Sequence, residues 1–147
     1  MTFAASSALG PRVPEVVLRT HLNILLVGTT KQTSDFMAGL WPALLEPIVL
    51  CDAAGFLWPR ESIGTLILEN ATEMAMAQQV SLFAQLEDSL RHTRVITTVR
   101  RPLFPDVQMG WFLHALYYRL NTIMLDFCEQ AVQHSEYSDQ PRSAHSS

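Results

Sequence analysis

Five short apolar runs, each dense in branched side chains, punctuate the chain at 22–27 (LNILLV), 47–52 (PIVLCD), 65–70 (TLILEN), 94–99 (RVITTV) and 121–127 (NTIMLDF). Their apolar residues are consecutive rather than alternating, as in strands buried on both faces, and so predict a parallel sheet. Stretches with a helical period lie between them. In the clearest, 76–90, Met76, Val80, Phe83, Leu86 and Leu90 form a stripe while Gln78, Gln85, Glu87 and Asp88 supply the polar face. A second, 112–120, sets Leu113, Leu116, Tyr117 and Leu120 on one side. A third starts near Ser34, a suitable cap, and breaks at Trp41-Pro42, because proline disfavours a helical residue before it. Strand and helix in alternation give an α/β layered fold.

The ends lack this order. Residues 1–20 carry Gly10, Pro11 and Pro14 with no sustained period and are expected to form a flexible arm, and the polar, Ser-rich stretch 129–147 is expected to be a disordered tail. The ordered core is expected over 21–128. A length of 147 residues allows one domain, and 48% hydrophobic residues with a mean hydropathy of +0.14 exclude a wholly disordered chain. The longest apolar stretches, such as 38–45, fall short of the roughly 18 residues of a spanning helix. The N-terminus has no basic region followed by an apolar run, so a cytoplasmic location without membrane contact is expected.

Charge narrows the partners. A net charge of −4 and a pI near 5.6 argue against a phosphate-binding surface. Arg91, Arg94, Arg100, Arg101 and Arg119, accompanied only by Asp106 among acids, are too scattered for a DNA-reading face, so no direct DNA binding is expected. Cys51 and Cys128 lie in or beside apolar runs and read as reduced, buried thiols. His21, His92, His114 and His134 fall on too many elements to form a metal set or supply a base. Neither a metal ligand nor a catalytic residue is nominated.

The segment 64–88, GTLILENATEMAMAQQVSLFAQLED, is similar to the Walker B strand and following helix of the AAA+ domain, the sigma-54 interaction domain, of bacterial sigma-54-dependent transcription activators. The matching positions are Gly64, Thr65, Leu66, Leu68, Glu73, Met74, Ala77, Gln79, Leu82 and Leu86. Four more segments fall in the order that family uses. NILLVGTT (23–30) resembles the strand entering the phosphate loop, PIVLCDAA (47–54) the second strand, and RVITTVRRPL (94–103) the sensor strand. GWFLHALYYRLNTI (110–123) resembles the arginine-finger segment, with LYYRLN intact at 116–121. Nearly all of 21–127 is covered. The resemblance implies a three-layer P-loop-NTPase-like sheet of about five parallel strands flanked by helices, lacking the helical lid.

The family's packing positions match far better than its chemical ones. A working phosphate loop reads GxxxxGK(S/T), with glycines for close backbone approach and a Lys for the β- and γ-phosphates. Here Gly28, Thr29, Thr30, Lys31, Gln32, Thr33, Ser34 and Asp35 stand in that register, so the second Gly is Thr33 and the Lys is Ser34. Lys31 with Thr33 offers a shortened cradle, or Lys31 is simply a solvated side chain. The family's Asp-Glu pair, which holds Mg²⁺ and polarises water, becomes Glu69-Asn70, and Asn70 carries no carboxylate to accept a proton. The alternative is that the two residues only end a strand.

By the same resemblance the sensor Asn maps to Arg100. One arginine of the finger segment is replaced by Leu113 and the other remains as Arg119, which either reaches a neighbouring subunit's nucleotide or is a helix-end cation beside a carboxylate. Nine residues separate Ala54 from Gly64, where the family inserts a helix and its sigma-54-contacting loop. That is short for a parallel crossover, so a tight connection or a local rearrangement is expected.

These substitutions lead to the expectation of a non-catalytic AAA+-like protein, a pseudo-ATPase acting in transcription regulation or signalling through protein contact. Intact AAA+ activators or further copies of the chain are its expected partners. The alternative is residual Mg-ATP binding with weak or no hydrolysis through Gly28, Lys31, Thr33, Glu69 and Arg119. The contact surface is expected around Arg94, Arg100, Arg101, Trp111 and Arg119, with Trp111 otherwise filling the core.

Overall fold

The computed structural model describes residues 2–4, 13–88 and 92–127. Among these residues six strands, β1 (Thr2–Ala4), β2 (Ile24–Val27), β3 (Ile48–Asp52), β4 (Thr65–Glu69), β5 (Arg94–Val99) and β6 (Ile123–Asp126), form one sheet in the order β1-β6-β2-β5-β4-β3. Every pairing is parallel. The five strands expected from the apolar runs are β2 to β6. All of the residues of β2 and β5 are buried, as continuous branched runs require of central parallel strands.

Among the described residues, five helices flank the sheet: α1 (Glu15–Arg19), α2 (Thr30–Leu40), α3 (Met76–Leu86), α4 (Phe104–Gln108) and α5 (His114–Leu120). Alternation along each strand divides the core in two. On one face Leu25, Val27, Leu66, Leu68, Val95 and Val99 meet Leu82 of α3 and Leu116, Tyr117 and Leu120 of α5. On the other, Ile24, Leu26, Ile67, Ile96 and Ile123 meet Val17 of α1 and Phe36, Met37 and Leu40 of α2.

The structure departs from the sequence expectations in several places. Within the stretch expected to be a flexible arm, Thr2–Ala4 pair with β6, and α1 buries Val17 completely. The α1 carbonyl of Val17 also accepts from the Arg94 guanidinium at 3.1 Å. Arg94, expected on a contact surface, is therefore buried: its Nε donates to Leu22 O at 2.8 Å, and burial lowers its pKa. The α3 stripe is rotated from its expected position. Met76 and Val80 are 41% and 54% exposed, while Gln79 and Leu82 point inward. Trp111, for which core filling is the alternative to a contact role, is 63% exposed. Leu90, Arg91, Cys128, His134 and the 129–147 tail lie outside the described residues.

The short connection between β3 and β4 is a tight one. A 3-10 turn at Ala53–Gly55 leads into an extended segment with Phe56 and Ile63 buried against the α3 face of the sheet. Phe56 and Trp58 pack edge to face, their centroids 6.1 Å apart. On the opposite face β3 is the edge strand of the sheet, and Leu50 at its centre is 58% exposed.

Candidate functional site

In an open parallel sheet, ligands settle at the carboxyl ends of the strands where the strand order reverses. The reversal here lies between β2, whose chain runs on toward β3, and β5, whose chain runs back to β6. Gly28 and Thr29 leave the end of β2, Glu69 and Asn70 end β4, and Arg100 follows β5. Hydrogen bonds tie the three strand ends together. Gly28 N–H donates to Val99 O at 2.9 Å, and Asn70 N–H donates to Thr98 Oγ1 at 3.3 Å.

Only two residues, Gly28 and Thr29, separate β2 from α2, and Thr30 through Asp35 are already helical. The helix begins before the expected cap at Ser34 because Thr29 and Gln32 form a capping box. Gln32 N–H donates to Thr29 Oγ1 at 3.1 Å, and Thr29 N–H donates to Gln32 Oε1 at 2.8 Å. The two N–H groups so occupied are among those a phosphate would use at a helix N-terminus. Space closes as well: a Cβ on Gly28 would lie 2.8 Å from Gln32 Oε1 and 3.1 Å from Phe127 Cβ. The spacing Thr29-x-x-Gln32 is a sequence signature of this box, and it was the signal available for the residue that fills the cradle.

Lys31 turns outward and pairs with Asp35, Nζ to Oδ2 at 2.9 Å, one turn along the exposed face of α2. The hydroxyl of buried Thr33 bonds back to Thr29 O and Thr30 O, both at 3.2 Å. Asn70 adopts a left-handed conformation with φ 60°, which its short amide side chain tolerates, and opens the 3-10 turn Ala71–Glu73.

Two concavities flank these strand ends. One, of about 300 Å³, is lined by Asn70, Thr72, Glu73, Arg100 and Arg101. Arg101 is held there in a two-point pair by Asp106, at 2.5 and 3.2 Å. Asp106 is buried, and its hydrogen bond raises the Arg101 pKa. The other, of about 260 Å³, is lined by Thr33, Ser34, Met37, Ala38 and Trp41 of α2 and its following turn, with Leu50, Ile67, Glu69 and Thr98 from the sheet. Among the described residues, no three His, Cys, Asp or Glu side chains are grouped to hold a metal ion.

Arg119 is not with the others. Its carbonyl accepts from Asn23 Nδ2 at 2.9 Å, and Asn23 Oδ1 accepts from Val95 N–H at 2.8 Å, which places Arg119 by the amino ends of β2 and β5. Its guanidinium pairs with Glu87 just past α3, as a helix-end cation beside a carboxylate does.

Solved structures with the same architecture include NtrX from Brucella abortus in complex with ATP, with 19% identity and a TM-score of 0.58. That match covers 77% of this chain and 34% of NtrX. The P-loop NTPase domain of the sigma-54 transport activator from E. coli matches at 17% identity and a TM-score of 0.53, covering 76% of this chain and 87% of that domain. This chain has the P-loop NTPase-like fold. The resemblance carried by segments 23–30, 47–54, 64–88, 94–103 and 110–123 thus extends to the P-loop NTPase-like architecture itself. The chain spans about a third of the length of the NtrX structures it matches. No protein-family model and no curated protein matches it. Among the described residues, no helix is long and apolar enough to cross a membrane.

Proposed function

We propose that this P-loop-NTPase-like chain is a non-catalytic relative of the sigma-54 interaction domain, a pseudo-ATPase that acts in bacterial transcription regulation or signalling by touching other proteins in the cytoplasm. Intact AAA+ activators or further copies of itself are the proposed partners. The observation that carries this reading is the closed first turn of α2. Gln32 occupies the Thr29 N–H, the strand-to-helix loop has two residues, and Lys31 is committed to Asp35. At the end of β4, Asn70 brings no carboxylate to activate water.

The test is calorimetric titration with ATP and ADP in the presence of Mg²⁺, alongside a phosphate-release assay. No saturable heat up to 1 mM nucleotide and no release above background are expected. Binding tighter than about 100 μM, or roughly 5.5 kcal/mol, would overturn the reading, provided Lys31→Ala abolishes it. Partner contact is tested separately by light scattering of the chain alone and mixed with an intact sigma-54 activator. A mass unchanged in both would remove the contact role.

A second reading, residual nucleotide binding, is favoured by one observation: the similar NtrX structures were solved in complex with ATP and with ADP. It requires the Gln32 side chain to swing off Thr29, and Gln32→Gly is expected to ease that movement.

A further inference from the structure

The β3 edge of the sheet carries a groove that runs outward from Thr33, Ser34 and Glu69, at the family's nucleotide positions, to Leu50 and Trp41. Parallel sheets are ordinarily covered on both faces by their crossover helices. The 53–64 connection crosses on the α3 side, and on the α2 side Leu50, at the centre of the edge strand β3, is 58% exposed. Leu50, Ile67, Met37, Ala38 and half-exposed Trp41 form apolar walls there, enclosing about 260 Å³ together with Thr33, Ser34, Thr98 and Glu69. That volume lies below the roughly 300 Å³ at which drug-sized pockets begin, so its occupant is a fragment-sized molecule.

Charge decides what kind. Side chains two apart on a strand share a face, so Asp52 follows Leu50 and Glu69 follows Ile67 on the groove side. Asp52 and Glu69 are direct partners in the β3–β4 register, on strands about 4.8 Å apart. Like charges opposite one another on neighbouring strands repel. Asp52 spends one oxygen on the Ala54 N–H at 2.9 Å. Lys31, a cation of α2, is held by Asp35 on the outer face. Burial first, then the negative charges of Asp52 and Glu69, raise the thiol pKa of Cys51, whose side chain packs on the α3 face.

We infer that the groove between α2 and the β3 edge binds a small organic cation, an aryl-alkyl amine whose ring lies against Trp41 and Leu50 and whose ammonium meets the carboxylates of Glu69 and Asp52. The Thr33 hydroxyl already donates to backbone carbonyls, and Thr98 Oγ1 accepts from Asn70 N–H. The Thr98 hydroxyl proton and the Ser34 hydroxyl remain to orient the ligand. An anion is excluded from the same place by the carboxylate pair.

The full chain, labelled with ¹⁵N, is titrated with tryptamine, with indole-3-propionate as the acid of matched shape, and with MgCl₂ alone. Tryptamine is expected to give saturable shifts at Trp41, Leu50 and Glu69 in the high-micromolar to millimolar range, and indole-3-propionate to bind at least tenfold more weakly. Glu69→Gln, isosteric at a strand end, is expected to weaken tryptamine at least tenfold. Leu50→Ala, a truncation of an exposed side chain, is expected to weaken it severalfold. Unperturbed spectra elsewhere certify that each variant is folded. Equal binding of the acid, undiminished binding by both variants, or displacement of tryptamine by low-millimolar MgCl₂ would overturn the inference. None of these outcomes bears on the protein-contact reading above.

Discussion

The carboxamide of Gln79 holds the backbone of Leu113: the Leu113 N–H donates to Gln79 Oε1 at 2.8 Å, joining α3 to the start of α5. The same amide donates to Met74 O and Trp111 O, both at 3.0 Å, and the residue is only 1% exposed. Three backbone groups from two loops thus depend on one side chain.

Gln79→Leu keeps the approximate volume and removes all three bonds. Leaving buried backbone groups without partners costs about 1–3 kcal/mol each when water cannot reach them. A loss of about 3 kcal/mol, or roughly 10 °C in Tm, is expected by circular dichroism. A change under 2 °C would show that water enters and replaces the amide.

This residue marks where the sequence was legible and where it was not. The strands could be read because residues buried on both faces leave unbroken apolar runs, and β2 to β6 fall within one or two residues of the runs at 22–27, 47–52, 65–70, 94–99 and 121–127. The orientation of α3 could not, because apolar periodicity favours Met76 and Val80 over a glutamine for the inward face. Gln79 wins that face by satisfying backbone groups 32 and 34 residues away, partners that local periodicity cannot reveal. The same holds for Arg94, which reads as a surface cation but serves carbonyls 72 and 77 residues earlier. The sequence also placed Gly28, Glu69, Asn70 and Arg100 on strand ends that do meet. The groove beside Leu50 was not visible, because an apolar strand residue gives no sign of whether its face is covered.

Cys51 offers a pH-dependent prediction. Burial, then the negative charges of Asp52 and Glu69, raise its thiol pKa from 9.0 to about 11. The thiolate is the reactive form, so at pH 8 about a hundredfold less of it is present than for an unperturbed thiol. In a Cys128→Ser background, alkylation by iodoacetamide is expected to lag a model thiol by that factor, and Asp52→Asn is expected to speed it. The linkage has a definite sign: a thiol harder to ionise when folded stabilises the fold below pH 9, and that contribution is lost as pH rises from 9 to about 11. Cys51→Ala should flatten the stability profile in that window. An alkylation rate matching the model thiol would contradict the burial beside two carboxylates.

The Arg119–Glu87 pair is half exposed on both sides. Solvent screening holds such pairs to about 0–1 kcal/mol. A double-mutant cycle with Arg119→Ala and Glu87→Ala should return a coupling within that range in urea denaturation. A coupling above about 2 kcal/mol would make the pair a structural clamp between α3 and α5.

Gly64 gives the sharpest stability test, because close backbone approach rather than a turn demands it. A Cβ there would lie 2.5 Å from Leu45 O and 2.7 Å from Glu46 O. The surrounding backbone is pinned from several directions: Gly64 N–H donates to Pro47 O at 2.9 Å, Gly64 O accepts from Arg94 N–H at 3.0 Å, and Thr65 Oγ1 donates to Leu45 O at 2.8 Å. None of these groups can retreat without breaking the entry to β4. Gly64→Ala is therefore expected to destabilise by about 3 kcal/mol or more, at the upper end of single substitutions. Gly55 meets nothing within 4 Å of an added Cβ and serves as the control, with Gly55→Ala expected within about 0.5 kcal/mol of the parent. Equal stability of the two variants in urea denaturation would mean that the 45–47 segment does not press on β4 in solution.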